Sequence, residues 1–244
     1  MEGAELSARF ALPPNSRSYC GDRTFAEIFA AYLDGNSKRN LPALRKSLQS
    51  FRAHYAYLEL IANANSRSPF DYEVSEALWI GNRLLENVEK LEMQRVILER
   101  FCGHGMLSKE NAKRLAEEMP DGFVPHHSFH VLYLHTITGV IEPSVKNADL
   151  CRPSWGSVSS VDGETAVVKS QKLARLDGKL VLQECRKKVR TACAGMALLP
   201  DLRKGERVAF HWGVGVMKIS QQQAERLEKY TERNIAAANR EAGE

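Results

Sequence analysis

The hydrophobic grammar of this chain changes once, near residue 150, and that change limits the fold more than any other feature. Before it, apolar residues recur at spacings of three and four, the signature of amphipathic helices; after it, β-branched residues alternate between tight turns. A length of 244 residues suits one large domain or two small ones. We therefore expect an α+β fold: an α-helical domain over 1–150, followed over 151–244 by a small closed β-barrel and a C-terminal helix.

In the first half, an irregular start containing Pro13-Pro14 leads to a helix that Thr24 caps and Asp34-Gly35-Asn36 ends. A second helix is expected from Leu41 to Ala64, on the stripe Leu44, Leu48, Phe51, Tyr55, Leu58, Ile61. A third is expected from Tyr72 to Phe101, stopped by Gly103-His104-Gly105, and Ser108 opens a short polar helix ending near Pro120. In the second half, Asp162-Gly163 and Asp177-Gly178 read as hairpin turns. A last strand runs from Arg207 to Ile219, with Val208, Phe210 and Trp212 opposite His211, and Ser220 with Gln223 forms a capping box for the final helix.

Hydrophobic residues at 43% and charged ones at 26% exclude a disordered polar chain. The apolar run from Ser128 to Ile141 is broken by His130 and His135 and is too short to span a membrane. Acids early in Met1–Arg9 argue against a secretory signal, so a cytoplasmic protein without a membrane partner is expected. Five scattered cysteines without CxxC spacing point to free thiols. Residues 151–244 hold 17 Lys and Arg against 11 Asp and Glu. The basic peak Arg186-Lys187-Lys188-Val189-Arg190 lacks interleaved aromatics, which fits a solvated strand or turn, or a patch for an acidic protein partner, better than nucleic acid, and no nucleic-acid partner is expected.

Four of the seven histidines fall between Pro125 and His135. If this segment is helical, His126 and His130 lie one turn apart with His127 beside them, and two imidazoles can share a metal. If it is extended, the pair dissolves, and hydrogen-bonded core histidines are the other reading. No HExxH, glycine-rich phosphate loop or GxSxG is present, which removes the simplest metalloprotease, nucleotide-binding and hydrolase classes.

Cys151 opens the β-rich half in Cys151-Arg152-Pro153-Ser154-Trp155-Gly156, and the strand grammar continues through Asp162-Gly163 and Thr165-Ala166-Val167-Val168 to Val208-Ala209-Phe210-His211-Trp212-Gly213. Over residues 151 to about 235 this order resembles the HypC/HupF family of [NiFe]-hydrogenase maturation chaperones. The resemblance implies an OB-like barrel with a trailing helix, in which Cys151 and His211 handle an iron carrying cyanide and carbon monoxide. In that family the cysteine stands at the start of the chain, whereas Cys151 is internal.

The resulting expectation is a non-enzymatic assembly factor that binds iron with cyanide and carbon monoxide ligands, or a hydrogenase large-subunit precursor or other maturation protein, through Cys151. Cys151 and His211 are the cargo ligands, and His126, His127 or His130 are further metal ligands from the helical half. Two rivals stay open: a metal-dependent enzyme that makes or modifies a diatomic ligand, and a pure interaction module that docks a partner.

Overall fold

The computed structural model of the chain describes residues 1–35, 37–102, 106–134 and 141–241. Asn36, the Gly103-His104-Gly105 stop and His135 lie outside the described residues. The described helices are α1 (Gly3–Asn15), α2 (Phe25–Leu33), α3 (Ser37–Leu48), α4 (Arg52–Ala64), α5 (Tyr72–Trp79), α6 (Lys90–Val96), α7 (Lys109–Glu117), α8 (His127–Phe129), α9 (Val145–Cys151) and α10 (Gln221–Glu241). The strands are β1 (Ser154–Asp162), β2 (Thr165–Leu176), β3 (Lys179–Arg190), β4 (Ala192–Cys193), β5 (Met196–Ala197), β6 (Arg207–His211) and β7 (Val214–Lys218). The fold mixes α and β, with a five-stranded sheet and a C-terminal helix.

Four expectations from the sequence are corrected. The start is helical: α1 carries Pro13 and Pro14 in its last turn, and every residue of it except Glu5 and Arg9 is buried, so tertiary burial overrides the local cost of proline. The expected helix from Leu41 to Ala64 is two helices. Ser50 N–H donates to the Ser47 carbonyl at 3.0 Å, and Phe51 leaves the helical region with φ −80° and ψ 76°. The expected helix from Tyr72 to Phe101 stops at Trp79, where Gly81 takes φ +93° and the Asn82 side chain accepts from Leu84 N–H at 3.0 Å to start a 3₁₀ turn over Arg83–Asn87. A Cβ on Gly81 would lie 2.2 Å from a Tyr230 ring carbon, so only glycine lets α10 approach this turn.

The last expected strand is a hairpin. Trp212 and Gly213 take φ +51° and +72° between β6 and β7, the two-residue left-handed turn that matches strand twist. Trp212 therefore sits in the turn rather than beside Val208 and Phe210 on the strand. A bulky aromatic in the left-handed region is uncommon. Here its carbonyl accepts from Arg17 Nη2 at 3.1 Å, and its ring stands 4.9 Å from that of Tyr19.

Other features follow the sequence closely. Ser108 accepts from Asn111 N–H at 3.2 Å to cap α7, and Ser220 and Gln223 exchange hydrogen bonds of 3.1 and 3.0 Å at the start of α10. The strands run in the order β1-β2-β3-β7-β6, with β6 back beside β1, and the ring closes through the parallel pair Arg190↔Val214. Val158, Val168, Val189, Val208 and Phe210 fill its interior. The larger core joins Leu6, Phe10 and Trp79 from the helices to Val214 and Val216 of β7 and to Leu227 and Tyr230 of α10. Among the described residues, no helix is long and apolar enough to cross a membrane.

Candidate metal centre

Cys151 is the last residue of α9, a helix whose position is set by charge. Asp149 accepts from Arg152 Nη2 at 3.0 Å, from Lys187 Nζ at 2.7 Å and from the Leu173 backbone N–H at 2.8 Å. Arg152 is fully buried and also donates to the Gln171 carbonyl at 2.6 Å. Each buried charge thus has its partner, and α9 is pinned to the long β2/β3 ribbon. On its other side, the Trp212 backbone N–H donates to the Leu150 carbonyl at 2.9 Å, which brings the β6/β7 turn against the cysteine.

His211 ends β6 and is held by α1. Proline lacks an N–H, so Pro14 leaves the Phe10 carbonyl without its helical donor, and His211 Nδ1 lies 2.7 Å from that oxygen. The second ring nitrogen, Nε2, lies 2.7 Å from the Cys151 carbonyl oxygen. Burial is the main cause that pushes His211 down to about 4, outweighing both carbonyl contacts, so at neutral pH the ring is uncharged and has one N–H for two acceptors. The tautomer protonated on Nδ1 satisfies Phe10 and leaves an Nε2 lone pair facing a carbonyl oxygen, a place where a cation is favourable. Histidines that ligate metals are oriented by such a backbone contact on the far nitrogen.

His127 completes the group. One ligand atom each from His127, Cys151 and His211 lie within 4.8 Å of one another. His127 is half-buried, yet both of its ring nitrogens are buried and without a hydrogen-bond partner. Its ring packs 4.3 Å from Trp79 and 5.5 Å from His211. Burial pushes it well below the usual histidine range, with the neighbouring histidines acting in the same direction.

The expected i, i+4 pairing of His126 with His130 does not form, because the segment is not a continuous α-helix. His126 is extended, at φ −72° and ψ 151°, and caps α8 by accepting from Ser128 N–H at 3.3 Å; His130 begins a π turn over His130–Leu134. Ser128 is held in turn by Asn234 of α10 at 2.9 Å, so His126 faces the terminal helix rather than Cys151. His130 borders the centre: its ring stacks 5.8 Å from His127, and its Nδ1 meets the Tyr57 hydroxyl at 3.3 Å. Burial pushes His126 to about 3 and His130 to about 4.

Three further residues belong to the site. His54 and Trp79 come from helices where nothing in their spacing marks them as more than core, and Trp212 was readable only as the neighbour of His211. All three line a cavity of about 460 Å³ with Cys20, His127, His130, Cys151 and His211. His54 Nδ1 and Trp79 Nε1 are buried and unpartnered, and Trp212 Nε1 is buried beside the Cys151 thiol. Burial pushes the Cys151 thiol up to about 12, partly opposed by the adjacent Trp212 indole N–H, and burial followed by the nearby Cys151 charge pushes Cys20 up to about 12. Cys185 lies on the ribbon beside Lys187, and Cys193 Sγ donates to Ser16 Oγ at 3.5 Å.

Two neutral imidazoles and a thiol form a donor set that suits iron, copper or zinc, and three protein ligands beside a cavity leave a coordination position open. A cation displaces the thiol proton on binding. The residues thus fit a metal ion, and the polar atoms of His127 that burial leaves unsatisfied are the observation that carries this fit.

The whole of residues 1–244 matches the family model described as a family of unknown function, DUF6390, and the chain belongs to that family. No curated protein and no solved structure matches the chain.

Proposed function

We propose that this member of the DUF6390 family is an assembly factor that carries an iron fragment with cyanide and carbon monoxide ligands during [NiFe]-hydrogenase maturation, and that the fragment is held by Cys151, His211 and His127. The observation that carries the reading is the convergence of those three ligand atoms within 4.8 Å. Thiolate sulfur is a strong ligand for low-spin iron, and neutral imidazoles complete the set without adding charge. The HypC/HupF resemblance of residues 151 to about 235 supports the cargo, and the reading takes the five-stranded ring with α10 as the OB-like barrel of such chaperones. An internal cysteine has no terminal amine beside it; in this reading His127 supplies a donor from the helical half. The basic β3 segment Arg186–Arg190 then meets a hydrogenase large-subunit precursor or another maturation protein.

Infrared spectroscopy of protein purified anaerobically from cells that co-express hydrogenase maturation proteins tests the proposal. Iron-bound cyanide and carbon monoxide bands are expected in the wild type and absent in Cys151→Ala; bands of equal strength in both would sink it. A second reading, a metal-dependent enzyme acting on a diatomic ligand or its precursor, is favoured by the size of the cavity, about 460 Å³, which exceeds what diatomic ligands fill. Turnover by the isolated metal-loaded protein would select it over stoichiometric binding.

A further inference from the structure

Buried polar atoms in folded proteins are nearly always hydrogen-bonded, and exceptions gathered at one place call for a ligand. Here Trp79 Nε1, His54 Nδ1 and both nitrogens of His127 are buried without partners, and all three residues line the same cavity. Trp79 is only 2% exposed, so water outside the cavity does not satisfy it.

The chemistry of these atoms differs in a way that defines the ligand. An imidazole nitrogen is satisfied by a metal. An indole N–H is a donor only, and a bare cation gives it nothing. A cavity with both kinds of unsatisfied atom is therefore complementary to a metal that brings acceptor atoms with it. Trp79 is placed for this, with its ring 4.3 Å from His127 and 5.4 Å from His211, whereas the Trp212 N–H meets the Cys151 thiol.

We propose that Trp79 donates a hydrogen bond to the acceptor end of a ligand carried by a metal at His127, Cys151 and His211, so that the cavity selects a metal complex bearing anionic ligands over the bare ion. The inference rests on the metal reading above but not on the identity of the metal or on a role in hydrogenase assembly. It adds one residue, Trp79, that sets which metal complexes the cavity accepts.

The test loads the full-length protein anaerobically with Co(II) and titrates it with azide and with cyanide, following the visible cobalt spectrum, in wild type and Trp79→Phe. Phenylalanine keeps the ring stack that Trp79 makes on Phe10 at 4.7 Å, and cobalt stoichiometry with the melting temperature reports folding. We expect unchanged stoichiometry and about tenfold weaker anion binding in Trp79→Phe, about 1.4 kcal/mol. Equal anion affinity in both proteins, with cobalt bound, overturns the inference and leaves the metal reading standing. Failure of the wild type to bind cobalt or iron removes the metal reading, and this inference with it.

Discussion

Burial pushes the Cys151 thiol up to about 12, so the metal-free chain holds it protonated at neutral pH, and the histidines around it are neutral for the same reason. The imidazoles are thus uncharged, the state in which they ligate a metal, whereas the thiol gives up its proton to do so. Of the three clustered histidines only His127 falls in the group with Cys151 and His211, while His126 Nδ1 caps α8 and His130 Nδ1 meets Tyr57. His127→Ala is therefore expected to lose most bound metal, while His126→Ala and His130→Ala keep wild-type stoichiometry by elemental analysis. Equal loss in all three would place the metal elsewhere in the cavity. Cys185→Ala is expected to bind as the wild type does, since Cys185 lies on the ribbon outside the three-residue group.

At the scale of elements, the centre depends on α9 being held in place. Arg152 is fully exposed to the consequences of losing its partner, because none of its surface reaches solvent. Replacing Asp149 by Ala strands Arg152 and frees Lys187 and the Leu173 N–H together. The expected cost is about 3–5 kcal/mol in a urea unfolding measurement, the range for breaking a buried ion pair on one side. Metal affinity falls with it, because Cys151 ends the same helix. A loss below about 1 kcal/mol, typical of exposed pairs, would mean that solvent reaches this cluster. The same scale explains a proline pair at the end of a buried helix. Pro14 withholds an N–H from the Phe10 carbonyl, and that carbonyl orients His211.

For the whole molecule, His54, His126, His127, His130 and His211 are all held below the ordinary histidine value, chiefly by burial. Their unfolded value is near 6.5. As pH falls from about 6.5 towards about 4, the unfolded chain takes up protons that the folded one refuses, and stability drops by about 1.4 kcal/mol per pH unit for each such group. Above pH 7 neither state takes up these protons, so the contribution is complete and constant. The urea midpoint of the metal-free protein is expected to be level from pH 7 to 8 and to fall steeply between pH 6.5 and 5. A midpoint unchanged down to pH 5 would show that these rings are hydrated in solution. Much of this molecule is local and so was legible in the sequence. The switch from helical to alternating spacing near residue 150, the caps at Ser108 and Ser220, and the hairpin turns at Asp162-Gly163 and Asp177-Gly178 depend on neighbours within a few positions. The breaks at Phe51 and Gly81 were hidden, because the apolar stripe runs across them unbroken and only packing against other elements makes the chain turn there. Cys151 and His211 could be singled out by motif, but which histidine joins them could not. That depends on a cap and a π turn replacing a regular helix, and on α5 delivering Trp79 and α4 delivering His54 to the same cavity. Convergence of side chains far apart in sequence follows from how whole elements pack, and spacing along the chain carries no record of it.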